Sequence, residues 1–411
     1  MSTAGRRVFF ATCARGVEEA LQAEARALRL SRLERQVGGV RFEGTLTDAW
    51  RANLLLRTAM RVLCRIDRFQ AADADQLYAH VRDMPWEEFL AADGRLVVQA
   101  QSRESALDHT QFVEQRVKDA IVDRFRARTG RRPSVDRERP DLGIHVHLYR
   151  DRATLSLDTS GEPLYKRGWR VHQGRSPLSE TLAAAMVAYA GWDRAAPLVD
   201  PFAGSGTIVI EAALAAAGIA PGARRAFAFE RWPGHDERRY RQLSAELTRP
   251  SPPRKRARVI AQDVDPERVE ETRANAESAG VAEWIECRVG DARELELRAG
   301  WNAWVITNPP YGRRSGAEGG RRSSAEGVRR SSVEVGDEAG SPKRAGPAER
   351  SDEVTELYRG FGALLRERGR GTTLALLAER REHVRALALR GLERRVLMNG
   401  GLACVLAVGK V

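Results

Sequence analysis

From Ser176 onward, short apolar runs alternate with amphipathic stretches, and this limits the fold more than any other feature. "SPLSETLAAAMVAYAGW" reads as a helix. "PLVDPF" is a strand entering a glycine loop, and "IVIEAALAAAG" is the helix behind it. The strand "ARVIAQD", the helix "DPERVEETRANAESAG", the strands "WIECRVGD" and "WNAWVITN", the helix "TELYRGFGALLRER" and the strand "TTLALLA" follow. Strands separated by helices build a mostly parallel sheet with helices on both faces, so this part is α/β and Rossmann-like. The last pair, "LERRVLMNGGLACVLAVGK", turns at Asn399-Gly400-Gly401 and adds an antiparallel edge.

The preceding residues mix elements differently. "RVFFAT", "GGVRFEG" and "RLVVQAQS" read as strands, and "GVEEALQAEARAL" as an amphipathic helix. "DHTQFVEQRVKDAIVDRFRAR" reads as a helix capped by Asp108, with Val113, Val117, Ala120, Ile121 and Phe125 on its apolar face. In "DLGIHVHLYRDRATLSLDTSG", Ile144, Val146 and Leu148 share one face of a hairpin turning near Arg150-Asp151, with His145 and His147 opposite. The expected division of the 411 residues is an α+β module over 1–165 and the α/β domain over 166–411. Within the second, "RRSGAEGG", "RRSSAEGV" and "RRSSVEVG" are tandem octapeptides. The segment 313–352 carries too little apolar surface to offset ordering and is expected to be a disordered insertion. An Arg-rich arm touching RNA phosphates is the alternative.

The net charge of +12 and pI near 10.1 point to an acidic partner, nucleic acid first. Only five of the 68 basic residues are Lys, and guanidinium suits bidentate phosphate contact. Residues 121–140 hold seven Arg against three acids, a net of +4, and Arg124, Arg126, Arg128, Arg131 and Arg132 are candidate phosphate contacts. Cys13, Cys64, Cys287 and Cys404 are far apart and suggest neither a disulfide frame nor a zinc site. Neither a signal peptide nor a bilayer-length apolar run is visible, so a soluble cytoplasmic protein is expected. The sequence fixes no oligomeric state.

Three acids end consecutive strands. Asp200 opens the loop Asp200, Pro201, Phe202, Ala203, Gly204, Ser205, Gly206, Thr207, whose glycines permit backbone angles and close approach that side chains forbid. No Lys-Ser or Lys-Thr follows, so this is not a phosphate-binding P-loop. Asp263 is placed to accept from ribose hydroxyls, while Asp265-Pro266 suits a helix cap. Asp291 is placed to meet an adenine amine. Acids in order at one sheet edge argue for an adenosine-containing ligand.

"TNPPYGRR" then ends the strand "WNAWVI", because prolines cannot donate to a ladder. Asn308 offers a side-chain carbonyl, Pro309 a free backbone carbonyl, Pro310 rigidity and Tyr311 a flat ring. Two acceptors can take both N–H bonds of a planar amine while the ring stacks on its base. Acceptance in tetrahedral directions favours pyramidal nitrogen and localises its lone pair toward an electrophile, which is positioning and electrostatics. His235-Asp236-Glu237 invites a metal, yet no further ligand lies near, so a solvated helix start is expected and no metal.

"DPFAGSGT" followed by "NPPY" resembles the class I S-adenosylmethionine-dependent methyltransferases that modify exocyclic or amide nitrogens. "GGVRFEG", "VKDAIVDRFRARTGRRPSVDRERPD", "YKRGWR", "SETLAAAM" and "NGGLACVL" resemble the bacterial 23S rRNA guanine-N2 methyltransferases of the RlmL type, over nearly the whole chain. The resemblance implies a ferredoxin-like start and a THUMP RNA-binding domain near 48–160. It implies Asp200 to Thr207 as the cofactor loop, Asp263 on the ribose, Asp291 near the adenine, Glu180 and Thr181 over the methionine part, and Asn308 to Tyr311 as the catalytic tetrapeptide. Lys166 and Arg167 of "YKRGWR" join the candidate RNA contacts. Some family members continue into a second methyltransferase domain, an activity expected to be absent here. Guanine-N2 methylation of tRNA, adenine-N6 methylation of DNA and a non-catalytic RNA-binding or assembly role stay open.

Overall fold

The computed structural model describes residues 5–172, 178–249, 257–298, 300–311 and 347–411, and the octapeptide repeats lie outside them. The chain begins with β1 (Arg7–Thr12), α1 (Glu18–Ala27), β2 (Ser31–Gln36), β3 (Gly39–Gly44), α2 (Leu46–Leu55) and β4 (Arg61–Gln70). It continues through α3 (Ala74–Asp83), β5 (Arg95–Arg103), α4 (Thr110–Thr129), β6 (Ser134–Val135), β7 (Leu142–Tyr149) and β8 (Arg152–Asp158). These strands join in one eight-stranded sheet, ordered β2-β3-β1-β4-β8-β7-β5-β6. The ferredoxin-like start and the strands after it therefore share a ladder across β4 and β8.

Side chains alternate as the pleat requires. Phe9, Phe42, Cys64, Leu157 and Ile144 are partners across the sheet and wholly buried on one face. The β7–β8 turn lies at Arg150-Asp151, both with positive φ. His109, not Asp108, caps α4: its Nδ1 accepts from the Phe112 amide at 3.0 Å, and the helix starts one residue later than expected.

The second part comprises α5 (Glu180–Tyr189), β9 (Leu198–Asp200), α6 (Thr207–Ala216), α7 (Glu237–Leu247), β10 (Val259–Asp263), α8 (Pro266–Ala279), β11 (Ile285–Val289) and β12 (Trp304–Thr307). Then come α9 (Pro347–Arg368), β13 (Thr373–Ala378), α10 (Arg381–Ala386), β14 (Glu393–Asn399) and β15 (Leu402–Lys410). Helix α9 starts at Pro347, inside the segment expected to be disordered as far as 352. The strand order is β11-β10-β9-β12-β13-β15-β14, parallel except for the last hairpin. The order reverses between β9 and β12, and ligands of such sheets bind beyond the carboxyl ends at that point.

Two sets of contacts weld the parts together. The Trp50 ring of α2 lies 5.8 Å from Phe229 and 5.5 Å from both His235 and Tyr240. The solvated helix start expected at His235-Asp236-Glu237 is present in Asp236, which caps α7, and in exposed Glu237, while His235 packs in the aromatic cluster. Deeper, Glu211 of α6 is fully buried, 3.2 Å from Arg167 and 3.9 Å from Arg57. Arg57 also donates to the carbonyls of Leu214 and Ile219, and Arg167 to those of Leu164 and Arg57. Burial, opposed by Glu211, pulls the Arg57 pKa down to about 10. Removing one member of a buried ion cluster strands the rest, so Glu211→Gln should lower stability by about 3–5 kcal/mol, read as a shift of the urea midpoint at constant slope. A loss below about 1 kcal/mol would show that the cluster does not hold the two parts.

Candidate active site

The turn after β9 sets the site. Gly204 and Gly206 have φ of 55° and 83°, the left-handed region. They do different work. A Cβ on Gly206 would lie 2.8 Å from Thr272, so helix α8 forbids it, whereas a Cβ on Gly204 would meet no atom within 4 Å and would point into open space. Helix α8 braces the loop from behind: Thr272 Oγ1 donates to the Gly204 carbonyl at 2.8 Å and Asn275 Nδ2 to that of Ser205 at 3.0 Å.

Asp263 ends β10 and its Oδ2 accepts from the Gly204 amide at 2.8 Å, so the acid also holds the loop in register. Its Oδ1 accepts from the Asp265 amide, and Asp265 caps α8 ahead of Pro266. Val289 pairs directly with Asp263 across β10–β11, and Val289 and Val264 are exposed, at 57% and 68%. Two bare apolar side chains beside a strand-end carboxylate suit an adenine plane with its ribose hydroxyls on the acid. Asp291 lies beyond the end of β11, which stops at Val289. The Arg293 guanidinium grips both its oxygens, at 3.0 Å and 2.6 Å, and holds its carboxyl below the usual range. Only the lone pairs that Arg293 leaves free are open to a ligand donor there.

Asp200 is 1% exposed. Its Oδ1 accepts from Thr307 Oγ1 at 2.6 Å and from the Phe202 amide at 3.2 Å. Burial pushes its pKa up to about 7, against those two hydrogen bonds, with Asp263 adding repulsion. Thr307 is the last residue of β12, so this bond ties the glycine loop to the residue before Asn308. Asn308 is half-buried. Tyr311 does not present a free ring. It is half-buried, its hydroxyl donates to Asn308 Oδ1 at 2.5 Å, and Cys404 Sγ lies 3.8 Å from the Tyr311 hydroxyl oxygen. Burial raises the phenol pKa far above its ordinary value, so Tyr311 stays a donor. That bond takes one of the two lone pairs of Asn308 Oδ1, and a ligand donor uses the other or displaces Tyr311.

Arg170 was not singled out by sequence. It donates to Glu180 Oε1 at 2.9 Å, Ser205 Oγ at 3.1 Å and Thr207 Oγ1 at 3.0 Å, binding the segment before α5 to the glycine loop. Glu180 and Thr181 are both 4% exposed at the start of α5. Burial raises the Glu180 pKa although Arg170 opposes it. The signal was present in "YKRGWR", but nothing local shows which of its cations turns inward.

The candidate RNA contacts divide. Arg167 is 3% exposed and spent on Glu211, so it cannot reach a phosphate. Arg124 is also spent: it pairs with Glu87 and donates to the Arg82 and Asp83 carbonyls. Lys166 is exposed and paired with Glu162. Arg126 and Arg128 lie on the open side of α4, near Asp123 and Glu87, and Arg131 and Arg132 are exposed beyond its end.

A seven-stranded sheet of this order, with a glycine turn after β9, an acid ending β10 and another just past β11, defines a class I methyltransferase fold. Family models match residues 167–323 as an "RMKL-like, methyltransferase domain", 71–158 as a THUMP domain and 8–63 as an "RlmL ferredoxin-like domain". The chain thus carries an RlmL ferredoxin-like domain, a THUMP domain and an RMKL-like methyltransferase domain. It is 37% identical over 412 residues to the ribosomal RNA large subunit methyltransferase K/L of Pseudomonas paraeruginosa, covering 98% of this chain and 52% of that one. It thus spans about half the length of the curated relatives it matches. A candidate methyltransferase crystallised with SAH superposes at TM-score 0.82 and 26% identity, covering 100% of this chain and 99% of that one. A protein from Listeria monocytogenes, described as a predicted N6-adenine-specific DNA methylase, does so at 0.79 and 28%, covering 98% and 96%. No helix of the described residues is long and apolar enough to cross a membrane.

The state of Asp200 makes stability depend on pH. The folded protein keeps this proton to about pH 7, whereas the unfolded chain releases it near 3.8. Between those values the folded state binds more protons, so this contribution is present at low pH and lost as pH rises through the window. Urea unfolding at pH 5 and pH 8 should show a loss on the order of a few kcal/mol that Asp200→Asn lacks. Equal pH slopes in the two proteins would refute the neutral carboxyl.

Proposed function

We propose that the chain methylates the exocyclic N2 amine of a guanine in 23S rRNA, with S-adenosylmethionine as methyl donor and the cytoplasm as its place of action. Residues 1–165 are the RNA-binding module and 166–411 the catalytic domain. The observation that carries this reading is the 2.6 Å bond from Thr307 to Asp200, which sets the Asn-Pro-Pro-Tyr corner against the glycine loop at the switch point of the sheet.

The loop Asp200 to Thr207 with Glu180, Thr181, Asp263 and Asp291 holds the cofactor, which supplies a methyl group on a positively charged sulfur. The target guanine must leave its stack, because its amine is unreachable inside a helix. Tyr311 releases Asn308 as the base enters. Asn308 Oδ1 and the Pro309 carbonyl then accept the two N–H bonds and aim the nitrogen lone pair at the methyl carbon. As the N–C bond forms, the methyl carbon's bond to sulfur breaks, leaving a neutral thioether, and the spare proton passes from nitrogen to water. The step needs no enzyme nucleophile and no named general base.

Adenine-N6 methylation of DNA is the rival that the printed name of the Listeria protein favours, and the matched THUMP domain argues for RNA. Guanine-N2 methylation of tRNA uses the same corner chemistry. Mass spectrometry of separated 23S rRNA, tRNA and DNA with and without the gene should show loss of one N2-methylguanosine from 23S rRNA alone. Asn308→Ala should reduce that methylation by about 10²–10³-fold, the usual cost of one preorganised polar group. Undiminished methylation by the variant would remove Asn308 from the reaction. Loss of N6-methyladenine from DNA instead would establish the rival.

A further inference from the structure

The eight-stranded sheet has a second face that no helix of the described residues closes off. Pairing places Gln99, His145, Ser156 and Arg65 in one row across β5, β7, β8 and β4. The next row holds Gln101, His147, Thr154 and Arg68, and the one after it Arg103, Tyr149, Arg152 and Gln70. These side chains are exposed or half-buried, while their neighbours in sequence, such as Val146, Leu155 and Leu157, are sealed in the core. Arg41 lies on the same face of β3, paired with Glu43.

Arg65, Arg68 and Arg152 make no ion pair within 4.0 Å among the described residues, although Arg61, Arg103 and Arg150 nearby do. The like charges of Arg41 and Arg68 reinforce burial in disfavouring the Arg65 charge. Such crowding on one sheet face is relieved when an anion bridges the cations. Amides and hydroxyls flank the cations, and Tyr149, 38% exposed, is the outermost aromatic ring. Single-stranded RNA is held by aromatic stacking platforms, whereas the shallow groove of an A-form helix offers 2′-hydroxyls and phosphates to a flat polar surface.

We infer that this face docks the sugar–phosphate backbone of double-helical RNA, with Arg65, Arg68 and Arg152 on phosphates and Gln99, Gln101 and Ser156 on ribose hydroxyls. The inference rests on the reading that the chain acts on RNA. It moves the RNA contact from the engaged Arg124 and the buried Arg167 to an open surface.

The test is filter binding of the full chain to a 20-base-pair RNA duplex and to a 23S rRNA transcript across a salt series. The triple variant R65Q/R68Q/R152Q should bind at least tenfold more weakly, with a salt slope lower by about 2–3, since each phosphate contact contributes somewhat under one unit. R65K/R68K/R152K should keep most of the slope. An unchanged thermal transition and unchanged SAH binding establish that the fold is intact. Wild-type affinity and slope in the Gln triple would overturn the inference, as would equal affinity for a DNA duplex of the same sequence. If R131Q/R132Q alone lost binding, the surface would be the end of α4. Methyl transfer by the wild type is measured alongside: transfer without dependence on this face sinks the docking surface only, and dependence without transfer sinks the proposed activity only.

Discussion

The site depends on the reversal of strand order beside β9. Because β10 continues the sheet on one side and β12 on the other, the chain leaving β9 and the chain leaving β12 emerge as neighbours at the same edge. Neither turn would be useful alone. A glycine loop offers room and amides, and a proline corner offers fixed acceptors. The Thr307 hydroxyl on Asp200 converts that proximity into a single construction, at the expense of burying a carboxyl that remains protonated near neutrality.

The loop is also braced from outside the strands. Thr272 and Asn275 on α8 hold its carbonyls, Asp263 holds one of its amides, and Arg170 draws its hydroxyls toward Glu180. Catalysis by positioning demands this stiffness, because misplacement by about 1 Å can cost two orders of magnitude in rate. The acids at the strand ends therefore have two duties, shaping the loop and leaving lone pairs for a ligand. Asp291 shows the tension, since Arg293 takes much of its capacity.

Much of the fold was legible. The strand–helix alternation after Ser176 gave the parallel sheet, and the turns at Arg150-Asp151 and Asn399-Gly400-Gly401 lie where they were read. Strand β2, "SRLERQ", was not legible because it is a polar edge with almost nothing buried. The site was legible where residues act near their neighbours in sequence, as in the glycine loop and Asp265-Pro266. It was illegible where partners come from far away. Arg167 and Glu211 are 44 positions apart, and the apparent phosphate ligand is a buried ion pair. Arg124 looks like its neighbours until the fold brings Glu87 and two carbonyls to it. Charge density along a sequence counts cations but does not say which are already neutralised.

The seam formed by Trp50, Phe229, His235 and Tyr240 outside, and by Arg57, Arg167 and Glu211 within, has an evolutionary corollary. Neither half carries a finished exterior on that side: separated, the first would present the Trp50 ring and the Arg57 charge to water, and the second the rings of Phe229, His235 and Tyr240. The catalytic half could not be borrowed by another protein without rebuilding that side, so the two must have changed together, and variation at Trp50 should be answered by variation in the stretch around Phe229.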